Sequence, residues 1–158
     1  MPGRSEALEA TGSVAGTDDV VLEISADPAH ARTARLFAAA AARHFGVDDE
    51  RVEDLKVAIS EAATNAINAH RRDGIDDPIT LIAAPEPGGL RFAVVDAGAG
   101  FDPDVELSAT YTPPRGLSEG SLGLTLIRSL FPTIAIERNA DRGMTISFVV
   151  ERSLPSSV

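Results

Sequence analysis

At 158 residues and without cysteine, this chain has room for one domain with a single core, and it has no disulfide framework, thiolate metal site or cysteine nucleophile. Its net charge of −10 argues against sequence-independent nucleic-acid binding, which depends on neutralising phosphates. No apolar run approaches the about eighteen residues of a membrane span, and the first residues lack the order of a signal peptide, so a cytoplasmic protein is expected.

Residues 1–18 are rich in Gly, Ser, Thr, Ala and acid, without periodicity, and read as a mobile tail. The ordered domain is expected over 19–152, with a short tail at 153–158. Val20–Ile24 is a β-rich run. Asp27 and Pro28 then give a helix start, with Asp27 as cap and Pro28 at the first helical position. The alanine-rich segment to His44 is predicted helical and is closed by Phe45 and Gly46. A second helix is predicted from a cap at Asp48 to about Arg72, ending before Gly74. Two apolar runs, Ile79–Ala84 and Leu90–Asp96, flank a Pro/Gly turn and read as a hairpin. Residues 97–121 read as loop. A third helix is expected over Leu122–Leu130, stopped by Pro132, followed by strands at Thr133–Arg138 and Met144–Glu151. This order predicts an α+β fold, a two-layer sandwich of a mostly antiparallel sheet with helices on one face.

On the second helix Glu61, Asn65 and Asn68 fall within one narrow arc at spacings of four and three, while Val52, Leu55, Ile59, Ala62 and Ala66 take the opposite arc and should face the core. Asparagine costs roughly half a kcal/mol relative to alanine inside a helix, so two of them in mid-helix invite an explanation. An amide oxygen suits Mg²⁺, and a carboxylate one turn earlier can accept a proton beside the metal. A solvated polar face is the commoner fate of such residues, and both readings stand at this point.

The third predicted strand ends in Asp96, followed by Gly98 and Gly100. A carboxylate there can accept a hydrogen bond from an exocyclic amine such as adenine N6, and the glycines allow a ligand close to the backbone. A plain hairpin turn is the simpler alternative, weakened because Phe101-Asp102-Pro103 does not begin a returning strand. Gly116, Gly120 and Gly123 lead into the third helix, where free N–H groups and the helix dipole would favour phosphate. The pattern is not a Walker A loop, because it lacks Gly-Lys-Ser/Thr.

Taken together, Glu-Ala-x-Thr-Asn-Ala at 61–66, Asp-x-Gly-x-Gly-Phe-Asp at 96–102, Leu-Gly-Leu-x-Leu-Ile at 122–127 and Gly-x-Thr at 143–145 resemble the nucleotide-binding fold of gyrase, heat-shock chaperones and histidine kinases. Within that superfamily the chain most resembles bacterial anti-sigma factors that are also serine-protein kinases, the sporulation and general-stress type, from about Val20 to Glu151. The resemblance implies ATP and Mg²⁺ as cofactors. It implies Glu61 as catalytic base and Asn65 as Mg²⁺ ligand, with Asn68 beside it. Asp96 would be the adenine acceptor, Gly98 and Gly100 the loop beneath the base, and Thr145 a hydroxyl near the adenine. Gly120, Ser121, Leu122 and Gly123 would form the phosphate-binding helix start; separately, the glycine, proline and polar composition of 103–120 reads as a mobile lid from which Arg115 could reach the phosphates. Arg35 falls on a first-helix arginine that touches both the sigma factor and the anti-anti-sigma antagonist, and members are typically homodimers. Neither nucleic acid nor membrane is expected as a direct partner.

Sensor histidine kinases usually carry Asn where Glu61 stands, which separates them from this chain. It also departs from its nearest kin: Ser121 replaces a glycine of the phosphate loop, Glu119 stands where a lid arginine is found, and the histidine after Asn-Ala is replaced by Ala69, with His70 one place later. The expected activity is phosphorylation of an antagonist serine by a protein that otherwise sequesters a sigma factor. The alternative is a nucleotide-gated binding module of the same fold without kinase turnover.

Overall fold

A computed structural model describes residues 18–100 and 118–152, with side chains from residue 123 onward in the second stretch. The predicted tails (all but Asp18 of the first), Phe101, Asp102, Arg115 and most of the predicted lid lie outside the described residues. The elements run β1 (Val20–Ile24), α1 (His30–His44), α2 (Asp49–Asp73), β2 (Ile79–Glu86), β3 (Gly89–Val95), α3 (Ser118–Leu130), β4 (Ala135–Arg138) and β5 (Met144–Glu151).

Local chemistry explains most boundaries. Asp27 Oδ1 accepts from the Ala29 N–H at 2.9 Å, and the His30 and Ala31 N–H groups return to the Asp27 and Pro28 carbonyls. Asp27 therefore caps a tight first turn, with the α-helix proper starting at His30. Asp48 has the extended backbone of a cap position, but its side chain makes no cap hydrogen bond. The positive end of α2 is met instead by Asp49 and Glu50 in its first turn. β4 is shorter than predicted because Ile134 turns back to Phe131 O, and the Thr133 hydroxyl takes the Val149 N–H at 3.2 Å in place of a backbone partner. The third helix begins at Ser118 rather than near Leu122; Ser-Glu is itself a helix-opening pair, and the two glycines that follow do not outweigh it.

The sheet has the order β1-β2-β3-β5-β4 with every pair antiparallel. Alternation places Ile79 and Leu81 of β2, Leu90, Phe92 and Val94 of β3, and Ile146, Phe148 and Val150 of β5 in the core with the helices. From α2 the predicted stripe of Val52, Leu55, Ile59, Ala62 and Ala66 meets it, each at most 2% exposed. On the other face Ile82, Ala84, Ala93 and Val95 form a smaller buried cluster. The expected two-layer α+β sandwich is the observed one.

The C-terminal end of α3 is fixed by an aromatic stack. Phe131 lies 4.6 Å from Phe148, which lies 6.3 Å from Phe92, and the Arg51 guanidinium sits 4.6 Å over the Phe131 ring. Leu124 and Ile127 seat the rest of the helix against α2. Replacing Phe148 with alanine should cost about 3–5 kcal/mol of stability, the range for a large-to-small aromatic change in a core. A denaturant midpoint close to that of the unaltered protein would show that the stack is not the anchor.

Candidate functional site

Asp96 directly follows β3, where the β3–β5 ladder ends at Val95 opposite Thr145. Its N–H donates to Met144 O at 2.9 Å, and its carboxylate Oδ1 accepts from the Gly98 N–H at 2.9 Å and the Met144 N–H at 3.3 Å. Among the described residues these bonds all fall on Oδ1, so Oδ2 is the oxygen left to accept from a ligand. Burial pushes the Asp96 carboxyl above its usual range, and the two backbone N–H groups only partly offset it. A carboxylate kept where its charge is unfavourable is a mark of function more often than of stability.

The β4–β5 turn comes up against this residue. Gly143 has φ +91°, and a Cβ there would lie 1.9 Å from Asp96 O, so only glycine fits. Asn139 completes the junction: its Nδ2 donates to Asp96 O at 3.2 Å, and its Oδ1 accepts from the buried Thr145 hydroxyl at 2.6 Å. The Gly-x-Thr element thus serves first to close the sheet end around Asp96. Gly100 packs on Met144, and Gly98 on Ala69 and Asp73 of α2.

A second cluster lies further back along α2. Glu61 and Asn65 are half-buried, and a Cβ added to Gly123 would come 2.8 Å from Glu61 Oε2 and 3.7 Å from Asn65 Nδ2. Because α3 starts at Ser118, Gly123 lies inside the helix, not at its first turn. What it contributes is a missing side chain that lets α3 lie directly on the acid–amide pair. Gly120, Ser121 and Leu122 share this helix, with backbone alone described. Asn68 is exposed on α2, and Arg35 is exposed on the outward face of α1. From Glu61 to Ala69 the helix rises about 12 Å, so the two clusters sit a nucleoside-phosphate length apart on one rigid element.

The described residues contain no group of three or more His, Asp or Glu side chains that could hold a metal, and no helix long and apolar enough to cross a membrane. A divalent ion here would rest on one amide oxygen plus ligand phosphates, the usual Mg²⁺ arrangement. The half-buried Asn65, beside an acid and a glycine, suits that role.

Three residues to which the sequence assigned no part in the site take part. His70 is fully buried and hydrogen-bonded on both ring nitrogens, Asp73 accepts from Ala99 N–H, and Asn139 joins the sheet end. Their only signal was position: His70 continues the apolar stripe of α2, which marks it as packed inward.

Known proteins resemble this chain over most of its length. The histidine kinase-like ATPase domain family matches residues 24–150. The serine-protein kinase RsbW of Bacillus velezensis is 31% identical over 135 residues, spanning 82% of this chain and 83% of the relative. The RsbW of Oceanobacillus iheyensis is 32% identical over 124 residues, and the anti-sigma F factor of Clostridium acetobutylicum 30% over 115, with 78% and 79% of those chains covered. Among solved structures, the RsbU and RsbW domains of a Mycobacterium tuberculosis protein superpose with a TM-score of 0.60 at 19% identity, over 91% of this chain and 36% of that longer one.

Burial of Asp96 has a measurable sign. Between the ordinary carboxylate value, about 3.9, and the raised value in the fold, the native state holds a proton that the unfolded chain has released. The residue's contribution to stability therefore falls as pH rises through that window. Asp96→Asn should gain stability relative to the unaltered protein from about pH 4 towards neutrality in parallel denaturant titrations. A difference independent of pH would contradict the burial of this charge. Gly143→Ala should lose more than about 2 kcal/mol, as overpacking against fixed backbone does; a neutral outcome would mean that the turn does not press on Asp96.

Proposed function

This chain belongs to the histidine kinase-like ATPase family, in its RsbW and anti-sigma F branch, and on that premise we propose an ATP-binding anti-sigma factor that is also a serine-protein kinase. The observation that carries the reading is the placing of a buried strand-end carboxylate and a half-buried Glu–Asn pair along one helix. Asp96 Oδ2 accepts from the exocyclic amine of adenine, with Gly98 and Gly100 beneath the base and Thr145 beside it. The phosphates run along α2 towards Gly123, Leu122, Ser121 and Gly120, with Arg115 and Asn68 as further contacts.

Glu61 accepts the proton of the attacking serine hydroxyl. It is half-buried beside Gly123, whose missing side chain leaves its carboxylate unobstructed by a Cβ. Asn65 offers its amide oxygen to Mg²⁺, which when bound screens the phosphate charge. Catalysis in this setting is positioning and electrostatics, as in phosphoryl transfer generally.

Charge supports the partner reading. On a chain of net charge −10, α1 presents Arg32 and Arg35 outward, with the exposed Leu36 beside them. Such a face suits acidic side chains on a partner, and arginine's fork of donors holds carboxylates well. A sigma factor and its anti-anti-sigma antagonist are the partners in this reading, engaged by a homodimer that switches between them when the antagonist serine is phosphorylated.

Incubation with ATP labelled at the γ-phosphate and candidate antagonists tests the activity. Label should appear on an antagonist serine. Glu61→Ala should abolish transfer by at least a hundredfold, within the usual span for a general base, while Mg·ATP stays bound. Asn65→Ala should lose the Mg²⁺-dependent part of binding, and Arg35→Ala should weaken partner association alone. Transfer persisting in Glu61→Ala would return the helix face to a merely solvated one, and ATP binding without transfer to any antagonist would favour the nucleotide-gated binding module.

A further inference from the structure

We propose that His70 and Asp73 are positioning residues that clamp the loop after β3, so that the Asp96 carboxylate is held with one oxygen turned to the nucleotide base. The proposal rests on the adenine reading of Asp96 and adds to it the device that orients the acceptor.

Three successive backbone amides carry it. The Ala97 N–H donates to His70 Nε2, the Gly98 N–H to Asp96 Oδ1 and the Ala99 N–H to Asp73 Oδ2, each at 2.9 Å. The two outer amides are thus tied to α2, and the middle one is left to the carboxylate. His70 is fully buried, and its Nδ1 lies 3.1 Å from Asp77 O. A carbonyl can only accept, so Nδ1 carries the proton and Nε2 is the acceptor. The neutral ring in that one tautomer satisfies both contacts. Through Asp77 O it also joins the loop to the segment leading into β2.

Asp73 works from the same side of α2, one turn further on. Its carboxyl is held below the usual range, chiefly by hydrogen bonding to Arg72 and then by the Ala99 N–H, so it is a firm acceptor. The loop can lie this close because both surfaces are small: a Cβ on Gly98 would come 2.9 Å from Ala69 Cβ. The placement of histidine one position after Ala69 thus has a physical meaning. The ring points into the core side and meets a backbone amide, and the alanine makes room for the loop.

For Asp96 the effect is to remove freedom. With Ala97 and Ala99 anchored, the Gly98 N–H is aimed at Oδ1, the Met144 N–H joins it, and the carboxylate plane is set. A base amine then meets a preorganised oxygen and not a rotating one, which lowers the ordering cost of binding.

Asparagine and glutamine at position 70 separate the two nitrogens of the ring. Glutamine reaches far enough to accept from the Ala97 N–H, whereas asparagine keeps only the donor towards Asp77. In nucleotide-free protein, His70→Asn should speed amide exchange at Ala97 about tenfold, while the amides of β3 and β5 stay protected. Its ATP affinity by calorimetry should fall about tenfold, which corresponds to 1.4 kcal/mol, with KM for ATP raised and kcat at saturating ATP unchanged. His70→Gln should restore both readouts to within about twofold of the unaltered protein, close to what loss of one exchanged hydrogen bond leaves. Asp73→Ala should speed exchange at Ala99 and weaken ATP several-fold. Equal loss of ATP in His70→Asn and His70→Gln would make the ring a packing element only and overturn the clamp. So would unchanged ATP affinity in His70→Asn and Asp73→Ala when Asp96→Asn has lost it. If Asp96→Asn itself binds ATP normally, the adenine reading fails and the positioning role falls with it.

Discussion

The passage of two backbones at Gly143 and Asp96 is the constraint on which the site depends. A carbonyl sits where the Cβ of any other residue would be, and from that contact the β4–β5 turn, Asn139, Thr145 and the start of the loop after β3 take their places. The sheet does not simply stop at Val95. It is closed by hydrogen bonds that leave a carboxylate at its end, desolvated and bonded on one oxygen. Burial of that charge opposes folding, and the aromatic stack and the alanine-lined helix packing stabilise the domain enough to hold it.

Helix α2 is the second rigid reference. Its inward stripe fixes the helix on the sheet, and the residues just off that stripe then have no freedom to be elsewhere. Glu61 and Asn65 meet Gly123 of α3, while Ala69, His70 and Asp73 meet the Asp96 loop. On the proposed function, one helix then sets both the position of the base and that of the reacting phosphate. Glycine at 123 and alanine at 69 matter for the atoms they lack, since each allows backbone or a functional group to approach within contact distance. The C-terminal end of α3 is locked by Phe131 and Arg51, so its distance from Glu61 is set by packing.

Much of this was legible beforehand. The hairpin, the amphipathic stripe of α2 and the α+β order follow from periodicity and turn chemistry, and all appear in the structure. Asp27 bonds the Ala29 N–H as expected of a cap, although the helix opens at His30 and not at Pro28, and the motif spacing points to Glu61, Asn65, Asp96 and Thr145, whose roles are proposals. What was missed depends on tertiary contact. The start of α3 was placed too late because Gly120 and Gly123 were weighed by propensity, whereas helix–helix packing at Glu61 selects for a small residue inside the helix. Asp48 was expected to bond as a cap and does not. His70 read as a misplaced family histidine, because nothing local reveals that a backbone amide from a distant loop will meet its ring. Asn139 and Gly143 likewise gain their meaning from a neighbour more than forty positions away in the chain.

In the proposed function, the Asp96 carboxylate reads an exocyclic amine in a site built around it. Calorimetric titration of the full chain with Mg·ATP and with Mg·inosine triphosphate tests this, since the second ligand replaces the 6-amino donor by a carbonyl and carries a proton on N1. The structure predicts that ATP binds at least a hundredfold more tightly, the scale on which a site built for one donor rejects a ligand that lacks it, about 2.7 kcal/mol or more. Equal affinity for the two nucleotides would rule out recognition of the amine by Asp96.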